Sequence, residues 1–208
     1  MKSPSDRVKL PTPRYRSDAS IEEAMLRRRS VREYSESSLS LSEISQLLWA
    51  AQGITHQNGS RTTPSAGALF PLEVYVVAGR VDDLPSGVYR YEPHGRELVL
   101  VMSGDKREDL YLATIEQECV RVGAAAIIIA AVNERTTQKY GERGIRYICM
   151  EAGHAAQNVY LQASSLDLGT VVVGAFQDER VKKVLQMPAK ESPLYIMPVG
   201  RRLITEPS

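Results

Sequence analysis

At 208 residues, 43% of them apolar and 25% charged, the chain has the length and composition of one globular domain that removes roughly 70% of its unfolded surface from water. Its 26 basic and 25 acidic residues leave a net charge of +1, which argues against nucleic acid or an anionic membrane as the main partner. Cys119 and Cys149 form no Cys-x-x-Cys pair, so neither a disulfide framework nor a zinc site is expected. The longest apolar run, residues 123–132, is too short to span a bilayer, and the N-terminal segment lacks the apolar stretch of a signal peptide. A cytoplasmic protein is the expectation.

In chain order, residues 1–18 are rich in proline, serine and charge, show no period, and read as an arm ahead of a single domain over 19–208. Ser20 is placed to cap a first helix running to about Arg28, with Glu23 completing a capping box. Ser40 or Ser42 caps a second helix, which carries Ile44, Leu47, Leu48 and Ala51 on one face and ends at Gly53. A polar stretch then leads into the loop Pro64-Ser65-Ala66-Gly67. Three strands follow, over residues 72–78, 87–91 and 97–102, separated by Gly, Pro and Asp as in a meander. Residues 105–118 read as a helix and 124–132 as a strand buried on both faces.

The longest helix is expected over 142–166. Ile145, Ile148, Cys149, Ala152, Ala156, Val159, Ala163 and Leu166 recur at helical spacing, and Tyr147, Gly153, Ala155 and Tyr160 keep the other side apolar or small. Such a helix is buried, either in a large core or between subunits. A strand over 168–173, a short helix over 178–186 and a last strand over 194–199 complete the chain. Helices and strands do not alternate strictly, which predicts an α+β fold rather than a doubly wound parallel sheet.

Three segments are suited to chemistry. Arg27, Arg28, Arg29 and Arg32 surround Ser30, and guanidinium forks hold phosphate oxygens with paired, charge-assisted hydrogen bonds. The same cations would equally complement the negative end of the first helix and face water. In the loop at 64–71, small residues would let backbone amides approach a flat ligand, or form an ordinary connection. Val173-Gly174-Ala175-Phe176 follows a strand and precedes a helix, a common place for a ligand. Dinucleotide, P-loop, nucleophile-elbow and zinc-protease motifs are absent from the sequence. Glu151 and His154 make a single Glu-x-x-His, short of a di-iron set; His154 reads as a helix residue satisfied by a neighbour, and His56 and His94 have no evident partner. No metal is expected.

Taken in order, these segments resemble the nitroreductase superfamily, over roughly Ser20 to Arg202. RRRSVREY is similar to its N-terminal phosphate-binding segment, TTPSAGALFPLEVYVV to the loop and strand that pass the flavin, GHAAQNVYLQASSLDLGTVVVGAFQDERVKKVLQMP to its central helix, strand and flavin-edge loop, and PLYIMPVGRR to the closing strand. PSAGALFP together with VGAF resembles most the SagB-type branch, which includes azoline-oxidising enzymes of peptide maturation. Ala68 and Leu69 follow Gly67 where many relatives carry Ser-Ser/Ala-x-Asn, and little room is expected between Val132 and Glu142 for the lid helices of classical nitroreductases.

The resemblance implies a nitroreductase-like α+β fold, with a mainly antiparallel sheet flanked by helices, in an intertwined homodimer cored by the longest helix. It implies FMN as cofactor, with Arg28, Arg29, Ser30 and Arg32 on the phosphate and ribityl chain and Arg201 closing the site. Pro64, Ser65, Ala66, Gly67 and Leu69 would lie against the ring from the partner subunit, and Val173, Gly174 and Ala175 would present backbone amides at its edge. NADH, NADPH or an organic donor would pass hydride through flavin N5 to a small nitro, quinone or azoline-like acceptor by ping-pong kinetics. Tyr140 and Arg143 are the candidate proton donors. Two rival readings share these motifs in part: a flavin-binding or flavin-consuming protein without redox turnover, and a phosphate-binding interaction module.

Overall fold

The structure, a computed structural model, describes residues 6–203. A short strand, β1 (Arg7–Lys9), lies ahead of helix α1 (Ile21–Arg27). The Ser20 side chain caps α1 by accepting the Glu23 amide, while the Glu23 carboxylate takes Arg27 Nη1, so half of the expected capping box forms. Helix α2 (Leu41–Gln52) carries the full box: the Ser40 hydroxyl accepts the Glu43 amide at 3.2 Å and Glu43 Oε2 accepts the Ser40 amide at 2.8 Å. Strands β2 (Leu72–Ala78), β3 (Gly87–Glu92) and β4 (Glu97–Ser103) follow as a meander.

The helix expected over 105–118 is two helices, α3 (Arg107–Ala113) and α4 (Glu118–Val122). Ile115 and Glu116 between them take left-handed backbone angles, φ 53° and 56°, which no helix tolerates. The Thr114 hydroxyl takes the Tyr111 carbonyl and the Gln177 amide takes that of Ala113, so local and distant groups satisfy the end of α3.

Beyond β5 (Ala125–Val132), a helix α5 (Glu134–Tyr140) occupies the stretch where little room was expected. The longest helix is α6 (Arg143–Ser165), followed by β6 (Leu168–Thr170), α7 (Asp178–Val184) and β7 (Glu191–Arg201). Both ends of β7 extend past the expected 194–199. Beyond β6, Val173 keeps only an isolated bridge to Ile196, so the strand expected to reach 173 stops three residues early.

The seven strands of the described residues join one sheet, in the order β1-β4-β3-β2-β5-β7-β6, with every neighbouring pair antiparallel. Strand β5 sits at the centre of the core, fully buried along its length. Its alternate residues serve the two sheet faces. Ile127 and Ile129 pack with Ile44, Leu47 and Leu48 of α2 and Ile148, Ala155 and Val159 of α6. Ile128 packs on the other face with Leu110, Val120, Val181 and Leu185 from α3, α4, α7 and the residue after α7. This arrangement is the expected α+β fold. Among the described residues, no helix is long and apolar enough to cross a membrane.

In the single chain α6 is two-sided. Ile148, Ala152, Ala155, Val159 and Ala163 are buried, whereas Ile145, Cys149, Met150 and His154 are exposed. The apolar character read in the sequence therefore includes a face that the chain's own core does not cover.

Candidate functional site

The basic segment is positioned by a pair of opposed glycines. Gly169 of β6 pairs with Gly200 of β7, and the chain from Ser30 to Ser35 runs across them. A Cβ on Gly169 would come within 2.6 Å of Val31 Cγ1, and one on Gly200 within 2.7 Å of Tyr34 Cβ, so only glycine admits this close approach. The Val31 amide donates to the Thr170 carbonyl at 2.9 Å and the Ser35 amide to that of Arg201 at 3.0 Å. Tyr34 is buried and gives its hydroxyl proton to the Val31 and Pro198 carbonyls; burial raises its pKa far beyond the ordinary phenol range.

Tyr160 of α6 fastens the segment from beneath. Its hydroxyl lies 3.2 Å from Ser30 Oγ and accepts the Val172 amide at 2.8 Å, and the Arg28 guanidinium stacks over its ring at 5.2 Å. One side chain thus joins Arg28 and Ser30 to the strand end leading into Val173, Gly174 and Ala175. The four arginines differ in what they touch. Arg27 pairs with Glu23 and Asp167. Arg29 donates to the Leu26 and Arg28 carbonyls at 2.9 and 2.8 Å. Among the described residues, Arg28, Arg29 and Arg32 make no ion pair.

Arg201 is not gathered with them. It bonds Glu43 at the start of α2, 3.0 Å to Oε1 and 3.1 Å to Oε2. The next residue, Arg202, lies just beyond β7 and bridges to Tyr34. Arg202 donates Nε to the Leu168 carbonyl, and its pKa is lowered first by burial and then by Arg27 and Arg29 nearby.

The loop at 64–69 lies elsewhere, above the middle of α6 and beside α5. Ala66 to Ala68 form a single 3-10 turn in which Gly67 (φ 64°) and Ala68 (φ 55°) are left-handed, and Phe70 (φ 45°) follows. A Cβ on Gly67 would meet the Tyr140 hydroxyl at 2.8 Å and Lys139 Nζ at 3.1 Å. The loop is closed by Ser65 Oγ, which accepts the Phe70 amide at 2.9 Å. Asn158 of α6 holds the preceding residues by donating to the Thr62 carbonyl and Thr63 Oγ1. Tyr140 packs edge-on against Tyr147, over which Arg143 stacks, so Arg143 is the farther of the two proposed proton donors from Gly67 by this chain of contacts.

Glu151 is the unexpected member. It is 3% exposed, and its Oε1 has no hydrogen-bond partner. Burial pushes its pKa up to about 7, against the pull of the Ser65 hydroxyl and the Arg61 guanidinium. His154 is exposed, so the Glu-x-x-His pair does not converge on one point. Next to the loop, a cleft of about 350 Å³ is lined by Arg61, Phe70, Glu73, Arg90 and Arg135. Glu73 pairs with two of the cleft's three arginines, Arg90 at 2.7 Å and Arg135 at 2.5 Å.

Sequence reasoning thus missed Tyr160, Arg202, Lys139 and Glu151. For Glu151 a signal existed, since it falls one turn from Ile148 and Ala155 on the stripe that faces the core.

Comparison with known proteins agrees with this arrangement. The model of the nitroreductase family matches residues 25–201. A Methanocaldococcus jannaschii protein bearing a provisional nitroreductase name is 48% identical over 183 residues, which is 88% of this chain and 91% of that protein. The microcin B17-processing protein of Escherichia coli is 29% identical over 147 residues, 67% of this chain; the match spans only 54% of that relative. Among solved structures, a nitroreductase of Ralstonia eutropha, also provisionally named, superposes with a TM-score of 0.84 at 28% identity, covering 96% of this chain and 91% of the other. The fold, the placement of the basic segment over β6 and β7, and these matches lead to one conclusion: the chain belongs to the nitroreductase family.

Proposed function

We propose that the chain is an FMN-dependent oxidoreductase acting as a cytoplasmic homodimer. One observation carries most of the reading: Arg28, Arg29 and Arg32 bring guanidinium groups to one sheet edge without a carboxylate partner among the described residues, while the neighbouring Arg27 is paired twice. Cations that only complemented a helix end would gain by pairing with the nearby carboxylates. A dianionic phosphate fits this donor set, and Ser30 adds a hydroxyl beside it. Arg201 closes the site from the end of β7, with Arg202 beside Arg27 and Arg29 as a second terminal cation.

The other residues suit a flat ring. A Cβ added at Gly174 would have Tyr195 Cε1 as its nearest neighbour, at 4.0 Å, which leaves open space before the amides of Gly174 and Ala175. Pro64, Ser65, Ala66, Gly67 and Leu69 present a small-residue surface from the partner subunit, and Val173 anchors the opposing loop on β7. Bound FMN would supply two-electron hydride chemistry, with NADH, NADPH or an organic molecule as donor and a small nitro, quinone or azoline-like group as acceptor in alternating half-reactions. The protein binds and orients the ring and excludes water from it, and the Tyr140 hydroxyl beside Gly67 is placed to hold the proton that the acceptor needs.

Exposed apolar side chains support the homodimer. Ile21, Met25 and Leu26 of α1 are 59%, 55% and 73% exposed, and Ile145 and Met150 of α6 are 44% and 51% exposed. Sedimentation of a stable, folded, FMN-loaded monomer at nanomolar concentration would contradict it.

The visible spectrum of the purified protein tests the whole reading. A yellow protein that releases FMN on denaturation and bleaches with NADH or NADPH is expected. FAD in the extract, or a colourless protein that ignores added FMN, would remove the cofactor assignment. A yellow protein that never turns over a quinone or nitroaromatic acceptor would leave a flavin carrier instead.

A further inference from the structure

The 61–70 segment is held in a conformation that its own sequence does not favour, and one buried side chain, Glu151, lies beside it. Of the four residues from Gly67 to Phe70, three are left-handed, and two of those, Ala68 and Phe70, carry a Cβ. Such a backbone persists only where surrounding contacts over-determine it. Here the contacts converge. Ser65 Oγ accepts the Phe70 amide and closes the turn. That leaves the Ser65 hydroxyl proton to donate, and the group facing it is the Glu151 carboxyl. Arg61 stacks on the Phe70 ring at 4.7 Å, donates to Gln52 Oε1 at 2.7 Å, and has Glu151 among its charged neighbours, after Glu73 and Arg135.

We propose that Glu151 is the positioning residue of this loop: its carboxyl takes the Ser65 proton, which aims Ser65 Oγ at the Phe70 amide and fixes Gly67 and Ala68 in their left-handed form. Resting on the reading of 64–69 as the ring-facing loop, the proposal assigns to Glu151 the shape of the surface that meets the flavin, while the arginine segment supplies the grip on the phosphate. A buried carboxyl with one oxygen free of any partner is costly to keep in a helix that otherwise packs alanine and valine.

Amide hydrogen exchange in the full chain without flavin, followed by titration with FMN and riboflavin, tests this. In Glu151→Ala the Phe70 amide should exchange at least about tenfold faster, and Glu151→Gln, which keeps an acceptor oxygen, should stay within about threefold of the parent. Ser65→Ala should match Glu151→Ala, and the double variant should add nothing further. FMN and riboflavin should both bind Glu151→Ala about tenfold more weakly, since the loop would touch the ring and not the phosphate. Unchanged Phe70 exchange in Glu151→Ala would overturn the proposal, as would Glu151→Gln behaving like Glu151→Ala, or flavin affinity staying at the parent level once the loop has loosened. Should Glu151→Ala also expose the amides of Ile127 to Ile129, Glu151→Leu, which fills the volume without offering an acceptor, decides instead, and unchanged Phe70 exchange there overturns the proposal. A parent that binds neither flavin would end the cofactor reading, yet the Phe70 measurements would still judge the clamp.

Discussion

Near its C-terminal end α6 meets the basic segment through Tyr160, beneath the carboxylate-free guanidinium of Arg28; nine residues earlier, about 14 Å along the axis, it meets the 64–70 loop through Glu151, buried almost out of reach of water. The first region holds charge at the surface, where the proposed phosphate would neutralise it. The second holds a polar group in the core and uses it to set backbone shape. A long-range electrostatic grip and a short-range geometric one call for opposite environments. A single rigid helix can serve both, because its middle is buried and its C-terminal part reaches the surface.

That contrast can be broken at the buried end first, where the largest effect on stability is expected. The Glu151 pKa in the folded protein, about 7, stands above its ordinary value of 4.5. The native state therefore binds the proton more tightly than the unfolded chain does. Stability from this group is complete below about pH 4.5 and is lost as pH rises through about 7. Glu151→Gln cannot ionise, so it should be more stable than the parent by about 3 kcal/mol at pH 8, with the gain vanishing near pH 4.5. Urea unfolding at the two pH values checks this. A gain that does not depend on pH would mean that the carboxyl is not the buried, titrating group described above.

At the other end the expected change is smaller. Tyr160→Phe removes the hydroxyl that accepts the Val172 amide and touches Ser30, while keeping the ring beneath Arg28. A stability loss of about 1–2 kcal/mol is expected, together with weaker FMN binding. If stability falls and FMN affinity does not, Tyr160 supports only the strand end and the two regions are less alike in purpose than proposed.

Much of this architecture was legible in the sequence because the deciding signals are local. The unbroken apolar run at β5, the Ser40 cap of α2 and the helical stripe of α6 each state their element within a few residues. What escaped was decided elsewhere in space. The break between α3 and α4 falls at Ile115 and Glu116, neither of which advertises a left-handed turn, and its far carbonyl is satisfied by Gln177. Helix α5 is polar, with only Thr136 buried, and so shows no period. Arg201 and Arg202 differ by one residue in a strand, and family likeness does not carry the register that sends one toward Glu43 and the other toward the basic segment. The basic segment itself was visible, but the pairing of Arg27 and the freedom of Arg28 and Arg32 belong to the folded chain.

The central claim is that Arg28 and Arg32 hold the phosphate of FMN, and fluorescence titration of the apoprotein with FMN and with riboflavin tests it most directly. Arg28→Ala or Arg32→Ala should weaken FMN binding by about 1.5–3 kcal/mol, roughly ten- to a hundredfold, while riboflavin, which lacks the phosphate, binds each variant nearly as well as the parent. Unchanged affinity for both ligands, with stability altered by no more than about 0.5 kcal/mol, would contradict the claim and return these arginines to the solvent-facing end of a helix.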